Sequence, residues 1–194
     1  MQHISAIVLA GGKSRRMKEN KALLPIAGLP LIQRLCLTLA EHFREIIVSV
    51  QCAEAYSFLP YPVVVDKEPD QGPMMGLLGG LAASSNPVNF VIACDIPEID
   101  FDFVRRMADF TGDYEIVVPV SGVDKFEPLF AFYNKSVIPR IESLLQQQKR
   151  KIIELYSLAK VKTIPLDHAE WYYNLNSMDD YRRYLEKLSA GNGV

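Results

Sequence analysis

Short apolar segments alternate along the chain with longer segments of helical periodicity. The apolar segments are nearly continuous and rich in β-branched residues, which is typical of strands that are buried on both faces of a sheet. Strands are predicted at residues 4–10, 45–50, 62–66, 89–94 and 115–120, with an aromatic strand at 126–133 and short candidates at 161–165 and 172–175.

Helices are predicted between these strands. Leu31, Leu35, Leu39 and Phe43 recur at helical spacing and predict a helix that ends near residue 42. The chain carries further helical segments at 74–85, 100–110, 137–148 and 178–188, the last with Ser177 as its N-cap, and another candidate at 151–160.

The alternation of strands and helices predicts the fold class. Strands that alternate with helices form βαβ units, so we expect an α/β fold with a parallel sheet. The chain has no internal repeat, low-complexity tract or linker that would divide it. We therefore expect one domain that spans residues 1–194.

The first predicted strand runs directly into two glycines and a cluster of basic residues. The glycines are Gly11 and Gly12, and the basic residues are Lys13, Arg15, Arg16, Lys18 and Lys21. Glycine lets backbone N–H groups approach an anion closely, and basic side chains donate charge-assisted hydrogen bonds to its oxygens. The segment predicts a phosphate-binding loop, although a solvated basic loop would have a similar composition.

Composition restricts the ligand that this loop would bind. The chain has 194 residues, a formal net charge of −2 and an isoelectric point of about 5.9. Proteins that bind nucleic-acid duplexes usually carry a broad positive surface, so we expect a small polyanion rather than a nucleic acid.

The cysteines and the apolar run at 4–10 indicate the compartment. The three cysteines form no C-x-x-C pair and no metal-ligand spacing, which fits a reducing compartment, and the apolar run is too short for a membrane span. We expect a cytoplasmic protein without a membrane contact.

Ser49, Asp66 and Asp95 each stand at or near the carboxyl end of a predicted strand. Because the carboxyl ends of parallel strands meet at one edge of a sheet, we expect these residues and the glycine loop to share one crevice. Asp95 is the candidate ligand of Mg²⁺, since one or two carboxylates and substrate phosphates typically bind this ion. Asp66 could accept hydrogen bonds from guanine, hold a ribose hydroxyl or cap a turn.

The glycine loop matches neither of the two common nucleotide-binding fingerprints. It lacks the G-x-x-x-x-G-K-[ST] pattern of P-loop proteins and the G-x-G-x-x-G pattern of dinucleotide-binding enzymes. A nucleotide site of a third kind is therefore expected.

Two further segments carry unusual residues. Gly76, Gly79 and Gly80 lie inside a predicted helix, where each costs about 1 kcal/mol relative to alanine. Either close helix–sheet packing or a ligand against the backbone would offset this cost. Asn174 and Asn176 share one side of an extended segment, where they could hydrogen-bond a planar heterocycle or cap a loop.

Taken in order, these segments resemble the molybdenum cofactor guanylyltransferase family. The matching stretches cover nearly the whole chain and are 9–17, 20–24, 28–30, 65–66, 72–76, 94–97, 127–129 and 174–176. The opening motif L-A-G-G-K-S-R-R-M is shared with other nucleotidyltransferases, and the later segments narrow the resemblance. The resemblance implies a three-layer Rossmann-like fold with a mostly parallel mixed sheet. It also implies the transfer of GMP from Mg-GTP to the terminal phosphate of molybdopterin, with release of pyrophosphate.

The resemblance also implies which residues bind the nucleotide. Leu9, Ala10 and Gly11 would line the guanine and ribose. The triphosphate would be wrapped by Gly12, Lys13, Ser14, Arg15 and Arg16. We also expect Ser49 to contact the nucleotide, because of its place at a strand end.

The remaining implied roles concern catalysis and the second substrate. Lys21 would contact the α-phosphate, Asp66 the nucleoside and Asp95 the Mg²⁺ that the nucleotide carries. The catalytic candidates are therefore Lys21, Arg16 and Asp95. Asn174 and Asn176 resemble asparagines on the pterin side of the family's site. The family usually has glycine in place of Lys18 and often aspartate in place of Asn20.

Three alternative functions remain open from the sequence. A cytidylyltransferase for the same cofactor tends to have L-A-A-G where this chain has L-A-G-G, and Gly11 leaves more room for a purine. A nucleotidyltransferase for another small-molecule phosphate is the second alternative. The third is a nucleotide-binding regulator without catalysis, against which the presence of both Lys21 and Asp95 argues. Transient contact with cofactor-delivery proteins is compatible with each enzymatic reading.

Overall fold

A seven-stranded sheet forms the centre of the computed structural model, which describes residues 1, 3–10, 20–66, 68, 71–122, 125–166 and 170–191. The strands are β1 Ile4–Leu9, β2 Pro25–Ile26, β3 Leu29–Pro30, β4 Glu45–Val50, β5 Val63–Val65, β6 Val88–Ala93, β7 Ile116–Val120, β8 Phe130–Asn134 and β9 Val161–Pro165. The strand order is β5-β4-β1-β6-β8-β7-β9, and β2 pairs with β3 in a separate hairpin. Only the pairs that involve β8 are antiparallel within the large sheet, so the predicted mostly parallel mixed sheet is confirmed.

Helices connect these strands and cover the sheet. The α-helices of the described residues are α1 Leu31–Ala40, α2 Pro73–Ala83, α3 Phe101–Ala108, α4 Ile138–Gln146 and α5 Met178–Gly191. Short 3₁₀ helices lie at Lys21–Leu23, Glu54–Tyr56, Lys135–Val137 and Ile152–Leu158. None of the helices in the described ranges combines the length and the apolar character needed to cross a bilayer.

Alternate residues of β1 bury their side chains on opposite faces of the sheet. Ala6 and Val8 pack in a core that includes residues of α1 and α3. Ile7 and Leu9 pack in a second core that includes residues of α2 and α4. The sheet is therefore the middle of three layers, as predicted, because a strand buried on both faces is apolar at nearly every position.

Helix α5 covers the hairpin that follows Lys21. Tyr181 and Tyr184 of α5 pack with Leu24 and Ile26, and the Tyr181 hydroxyl donates a hydrogen bond to the carbonyl of Pro25. The predicted cap of α5 is also confirmed, since the Ser177 hydroxyl accepts a hydrogen bond from the Asp180 N–H at 3.2 Å. The end of the chain thus supports the segment that carries Lys21.

Three predicted elements differ from the observed ones. The strand predicted at 172–175 is wrong, because this segment is irregular and Leu175 donates its N–H to the carbonyl of Asp95 instead of joining a ladder. The segment 151–160 contains a 3₁₀ helix rather than an α-helix. The aromatic strand begins only at Phe130, because Pro128 lacks the N–H that a ladder needs.

The glycines of α2 differ in what surrounds them. A Cβ at Gly80 would clash with the Cγ2 of Ile7 in β1, so close helix–sheet packing requires glycine there. A Cβ at Gly79 would lie 3.5 Å from Val64 Cγ1, which is an ordinary contact. Gly76 faces a cleft at the end of the sheet. Close helix–sheet packing is therefore confirmed as the explanation for Gly80, whereas a ligand against the backbone at Gly76 stays a prediction.

We expect Gly80→Ala to lower the free energy of unfolding by about 1–3 kcal/mol, because the added methyl group must displace Ile7 from a filled core. Gly79→Ala is the matched control, and we expect it to be neutral or to stabilise the protein by up to about 1 kcal/mol through helix propensity. Urea unfolding of both variants measures the difference. Equal effects at the two positions would contradict the packing argument.

Candidate active site

A cleft of about 270 Å³ opens at the carboxyl edge of the sheet, beside the adjacent strands β1 and β6. The sheet extends from β1 through β4 to β5 on one side, and from β6 through β8 on the other. Such a point, where the strand order reverses, is where open α/β sheets bind ligands. The described residues that line the cleft are Leu9, Ala10, Asn20, Lys21, Ala22, Ser49, Asp66, Gly72, Pro73, Gly76, Ala93, Cys94, Asp95 and Leu129.

Main-chain hydrogen bonds align the strand ends that form the floor of the cleft. The N–H of Ala10 donates to the carbonyl of Ser49 at 2.8 Å, and the N–H of Cys94 donates to the carbonyl of Leu9 at 3.0 Å. The N–H of Asp66 donates to the carbonyl of Val50 at 2.9 Å. The predicted gathering of Ser49, Asp66 and Asp95 at one edge is therefore what the structure has.

Lys21 and Asp95 meet at the cleft from distant parts of the chain. Lys21 Nζ lies 3.9 Å from Asp95 Oδ2, and the two side chains are 16% and 23% exposed. Burial raises the pKa of the Asp95 carboxyl, although the nearby Lys21 ammonium acts in the opposite direction. The carboxylate is thus poorly solvated, and a further cation beside it would stabilise its charged form.

Asp66 and Ser49 form a second polar group in the cleft. The Ser49 hydroxyl donates a hydrogen bond to Asp66 Oδ1 at 3.2 Å. Burial raises the pKa of Asp66, and the hydrogen bond from Ser49 partly offsets this effect. A Cβ on Gly76 would lie 3.1 Å from Ser49 Oγ and 3.6 Å from Asp66 Oδ1, so glycine keeps this corner of the cleft open.

Cys94 lines the cleft, but its thiol is unsuited to covalent catalysis. Burial raises the pKa of this thiol to about 12, and the neighbouring Asp95 carboxylate acts in the same direction. A thiol must lose its proton to become a nucleophile. Cys94 is therefore neutral at physiological pH and contributes shape rather than reactivity.

Glu127 precedes the cleft residue Leu129 by two positions, and its partner Tyr172 lies close enough to Asp95 to be affected by that charge. The Tyr172 hydroxyl donates to Glu127 Oε2 at 2.8 Å, and the Ser121 hydroxyl donates to Glu127 Oε1 at 2.8 Å. Burial raises the pKa of Tyr172, and the carboxylates of Glu127 and Asp95 raise it further. The phenol is therefore a neutral hydrogen-bond donor that keeps Glu127 in place.

The two predicted pterin-side asparagines flank the cleft without lining it. Their segment is attached through Leu175, whose N–H donates to the carbonyl of Asp95 at 2.8 Å. Asn174 has a buried Oδ1 with no hydrogen-bond partner among the described residues, whereas Asn176 is exposed. Neither residue belongs to the described lining of the cleft. Their predicted role in binding the second substrate stays a prediction.

Several predicted phosphate-binding residues lie outside the described residues. These are Gly11, Gly12, Lys13, Ser14, Arg15 and Arg16. Ala10 and Asn20, which flank this segment in the sequence, both line the cleft. The role predicted for the basic loop stays a prediction.

Some residues that the structure places in or beside the cleft were not among the predicted site residues. Gly72 has a φ of +77° and begins the turn into α2, with Pro73 at the first turn of the helix. The G-P pair was a readable signal for a helix start at the edge of the sheet. Tyr56, whose hydroxyl contacts the carbonyl of Ala10, stands in a polar segment that gave no such signal.

Metal-ligating side chains are scattered in the part of the chain that the structure describes. Among the described residues there is no group of three or more histidine, cysteine or carboxylate side chains that could hold a metal ion. The Mg²⁺ site predicted at Asp95 would thus depend on few protein ligands, and it stays a prediction. One carboxylate is sufficient for Mg²⁺ when substrate phosphates supply other ligands.

Known proteins resemble this chain in sequence and in fold. The model of the MobA-like NTP transferase domain matches residues 6–161. The chain is 36% identical to a protein of Carboxydothermus hydrogenoformans named "Probable molybdenum cofactor guanylyltransferase", over 97% of this chain and 98% of that one. A protein of the same name from Pelotomaculum thermopropionicum is 33% identical, over 93% and 91% of the two chains. The crystal structure of molybdopterin-guanine dinucleotide biosynthesis protein A from Archaeoglobus fulgidus has the same fold, with a TM-score of 0.83, 21% identity and coverage of 96% and 100%.

We expect Ser49→Ala to raise the pKa of Asp66 further, because the Ser49 hydrogen bond stabilises the charged carboxylate against the effect of burial. Carbon-13 NMR titration of the aspartate carboxyl groups measures this shift, and Asp66→Asn assigns the resonance. A pKa of Asp66 that stays the same or falls in Ser49→Ala would contradict the argument.

Proposed function

The chain belongs to the MobA-like NTP transferase family, and on this premise we propose that it transfers GMP from GTP to the terminal phosphate of molybdopterin. The products are the guanine dinucleotide form of the cofactor and pyrophosphate. The shared name of two relatives that match over more than nine-tenths of this chain supports the choice of substrates. The observation that carries the proposal is the approach of Lys21 Nζ to within 3.9 Å of Asp95 Oδ2 at the switch point of the sheet.

The reaction does not require a strong general base from the protein. An oxygen of the acceptor phosphate attacks the α-phosphorus of GTP, and one P–O bond forms. The bond between the α-phosphorus and the bridging oxygen breaks, and pyrophosphate leaves with the electron pair. Because the attacking oxygen is already anionic, the main obstacle is repulsion between negative groups, which positioned charges and in-line geometry overcome.

Lys21 is the described residue best placed to offset this repulsion. Its ammonium group lies in the cleft, 16% exposed, on a 3₁₀ helix capped by Asn20. In the proposed role it donates to the α-phosphate and stabilises the charge that develops in the transition state. Arg16 is proposed to assist from the basic loop, together with Lys13, Ser14 and Arg15.

Asp95 is the proposed protein ligand for Mg²⁺. Its raised pKa and its place at the mouth of the sheet fit a carboxylate that a bound cation would stabilise. When bound, Mg²⁺ would neutralise phosphate charge and help hold the leaving group in line. The chain itself would supply the Asp95 carboxylate and hold Lys21 on the same side of the cleft.

Asp66 is the proposed contact to the nucleoside. Its carboxylate stands near Leu9 and Ala10, on the cleft wall that Gly76 leaves open. A carboxylate can accept two hydrogen bonds from the N1–H and N2–H₂ edge of guanine, which cytosine does not present. This complementarity supports GTP over CTP as the donor.

A parallel assay with GTP, CTP, ATP and UTP tests the proposal. With molybdopterin and Mg²⁺ present, we expect pyrophosphate release with GTP and a kcat/KM for CTP that is lower by at least about tenfold, since a site built for hydrogen bonds rejects a base that lacks them. Omission of molybdopterin is the control for hydrolysis. A preference for CTP, or release that does not depend on the acceptor, would contradict the proposed function.

Variants of the two converging charges test the mechanism. We expect Lys21→Ala to lower kcat by about 10²–10³-fold, since it removes a donor to the transition state, and Asp95→Ala to abolish turnover. Asp102→Ala is the control, because it removes a carboxylate from an exposed ion pair with Arg105 on α3. Thermal unfolding establishes that each variant is folded. A folded Asp95→Ala or Lys21→Ala protein with unchanged kcat would exclude that residue from the mechanism.

A further inference from the structure

The hydroxyl of Tyr56 joins two parts of the cleft wall that come from different segments of the chain. Tyr56 is 3% exposed and lies on the 3₁₀ helix that follows β4. Its hydroxyl accepts a hydrogen bond from Asn20 Nδ2 at 2.9 Å and donates to the carbonyl of Ala10 at 3.3 Å. A buried tyrosine thus connects the end of β1 to the residue before Lys21.

The hydrogen bonds form a continuous chain with one direction. The N–H of Ala22 donates to Asn20 Oδ1 at 3.2 Å, the amide of Asn20 donates to Tyr56, and Tyr56 donates to Ala10. The alternative acceptor for the Tyr56 proton is Asn20 Oδ1 at 3.4 Å, which belongs to the same network. Bonds in such chains polarise and strengthen one another in a water-poor environment.

Both ends of this series of hydrogen bonds affect the position of Lys21. Asn20 caps the 3₁₀ helix at Lys21–Leu23, so its side chain helps to fix where that helix, and with it the backbone of Lys21, begins. Ala10 is attached to the sheet through the hydrogen bond from its N–H to Ser49. Tyr56 therefore links the segment that carries Lys21 to the end of β1. The end of β1 is in turn hydrogen-bonded to Cys94, which precedes Asp95.

The tyrosine is suited to a permanent structural link rather than to proton transfer. Burial raises the pKa of Tyr56 above its usual value, which the hydrogen bond from Asn20 only partly opposes. The phenol is therefore neutral throughout the physiological range, and its proton stays available as a donor to Ala10.

We propose that Tyr56 and Asn20 are positioning residues, which hold the ammonium group of Lys21 over Asp95 through a hydrogen-bonded link to the end of β1. The inference rests on the proposed nucleotidyl transfer only because the test measures the rate of that reaction. The hydrogen-bonded link itself is observed in the structure. A small displacement of a catalytic group can lower a rate by one or two orders of magnitude.

The test compares kcat and KM for the wild-type chain, Tyr56→Phe, Asn20→Ser and the double variant. Serine is a good N-cap, so Asn20→Ser retains a cap for the 3₁₀ helix but is too short to reach the tyrosine hydroxyl. We expect each single variant to lower kcat about tenfold, with KM for the acceptor changed by less than about twofold. The double variant should be no slower than the slower single variant, because both substitutions break one link.

Tyr61→Phe is the matched control. Tyr61 lies with Met1 and Glu45 at the opposite, amino-terminal edge of the sheet, and we expect its loss to leave kcat unchanged. A Tyr56→Phe protein with the kcat of Tyr61→Phe would overturn the inference, and so would rate losses that multiply in the double variant. An Asn20→Ser protein with the wild-type kcat would show that capping alone positions Lys21.

The two proposals fail in different ways. If the wild-type chain prefers a nucleotide other than GTP or an acceptor other than molybdopterin, the proposed function is wrong, and the variants are compared with the substrates that the wild type does use. If the wild type uses GTP and molybdopterin but the variants match it, only the inference about Tyr56 and Asn20 is wrong.

Discussion

The parallel pairing of β1 with β4 and β6 is the constraint on which the site depends. Parallel pairing brings the carboxyl ends of the three strands to one level, and the hydrogen bonds from Ala10 to Ser49 and from Cys94 to Leu9 extend it beyond the strands. Because the chain continues to opposite halves of the sheet after β1 and β6, a cleft opens beside the ends of these two strands. The apolar strands thus form both the core and the floor of the cleft.

Burial of charge gives this cleft its chemical character. Asp66 and Asp95 are both partly withdrawn from water, and burial raises the pKa of each. Among the described side chains, the Ser49 hydroxyl opposes this effect at Asp66, and the Lys21 ammonium opposes it at Asp95. In the proposed function, the ligand donates hydrogen bonds to one of these poorly solvated carboxylates and brings a cation to the other. A purine nucleotide with its metal ion has both features.

Glycine and tyrosine contribute by different means to the shape of the cleft. Gly80 lets α2 approach β1 closely, and Gly76, one turn earlier, leaves space in front of Ser49 and Asp66. Tyr56 lies behind two residues of the cleft lining, and its hydroxyl donates a hydrogen bond to the carbonyl of Ala10 and accepts one from the amide of Asn20. The rigid parts of the site are thus held by helix–sheet packing on one side and by a buried polar network on the other.

The sequence by itself determined the fold class, most element positions and the approach of Ser49, Asp66 and Asp95 to one edge, because buried strands carry a local hydrophobic signature and parallel strands must end together. It also showed that the glycine loop matches neither of the two common nucleotide-binding fingerprints. Only the tertiary structure decided that Gly80 serves packing while Gly76 serves the cleft, and that residues 172–175 bind Asp95 as an irregular segment rather than as a strand. The hydrogen bond from Tyr56 to Ala10 was likewise invisible in the sequence, since a contact between residues 46 positions apart has no local pattern. Local periodicity reports which face of an element is buried, whereas the partners on that face are set by how distant elements pack.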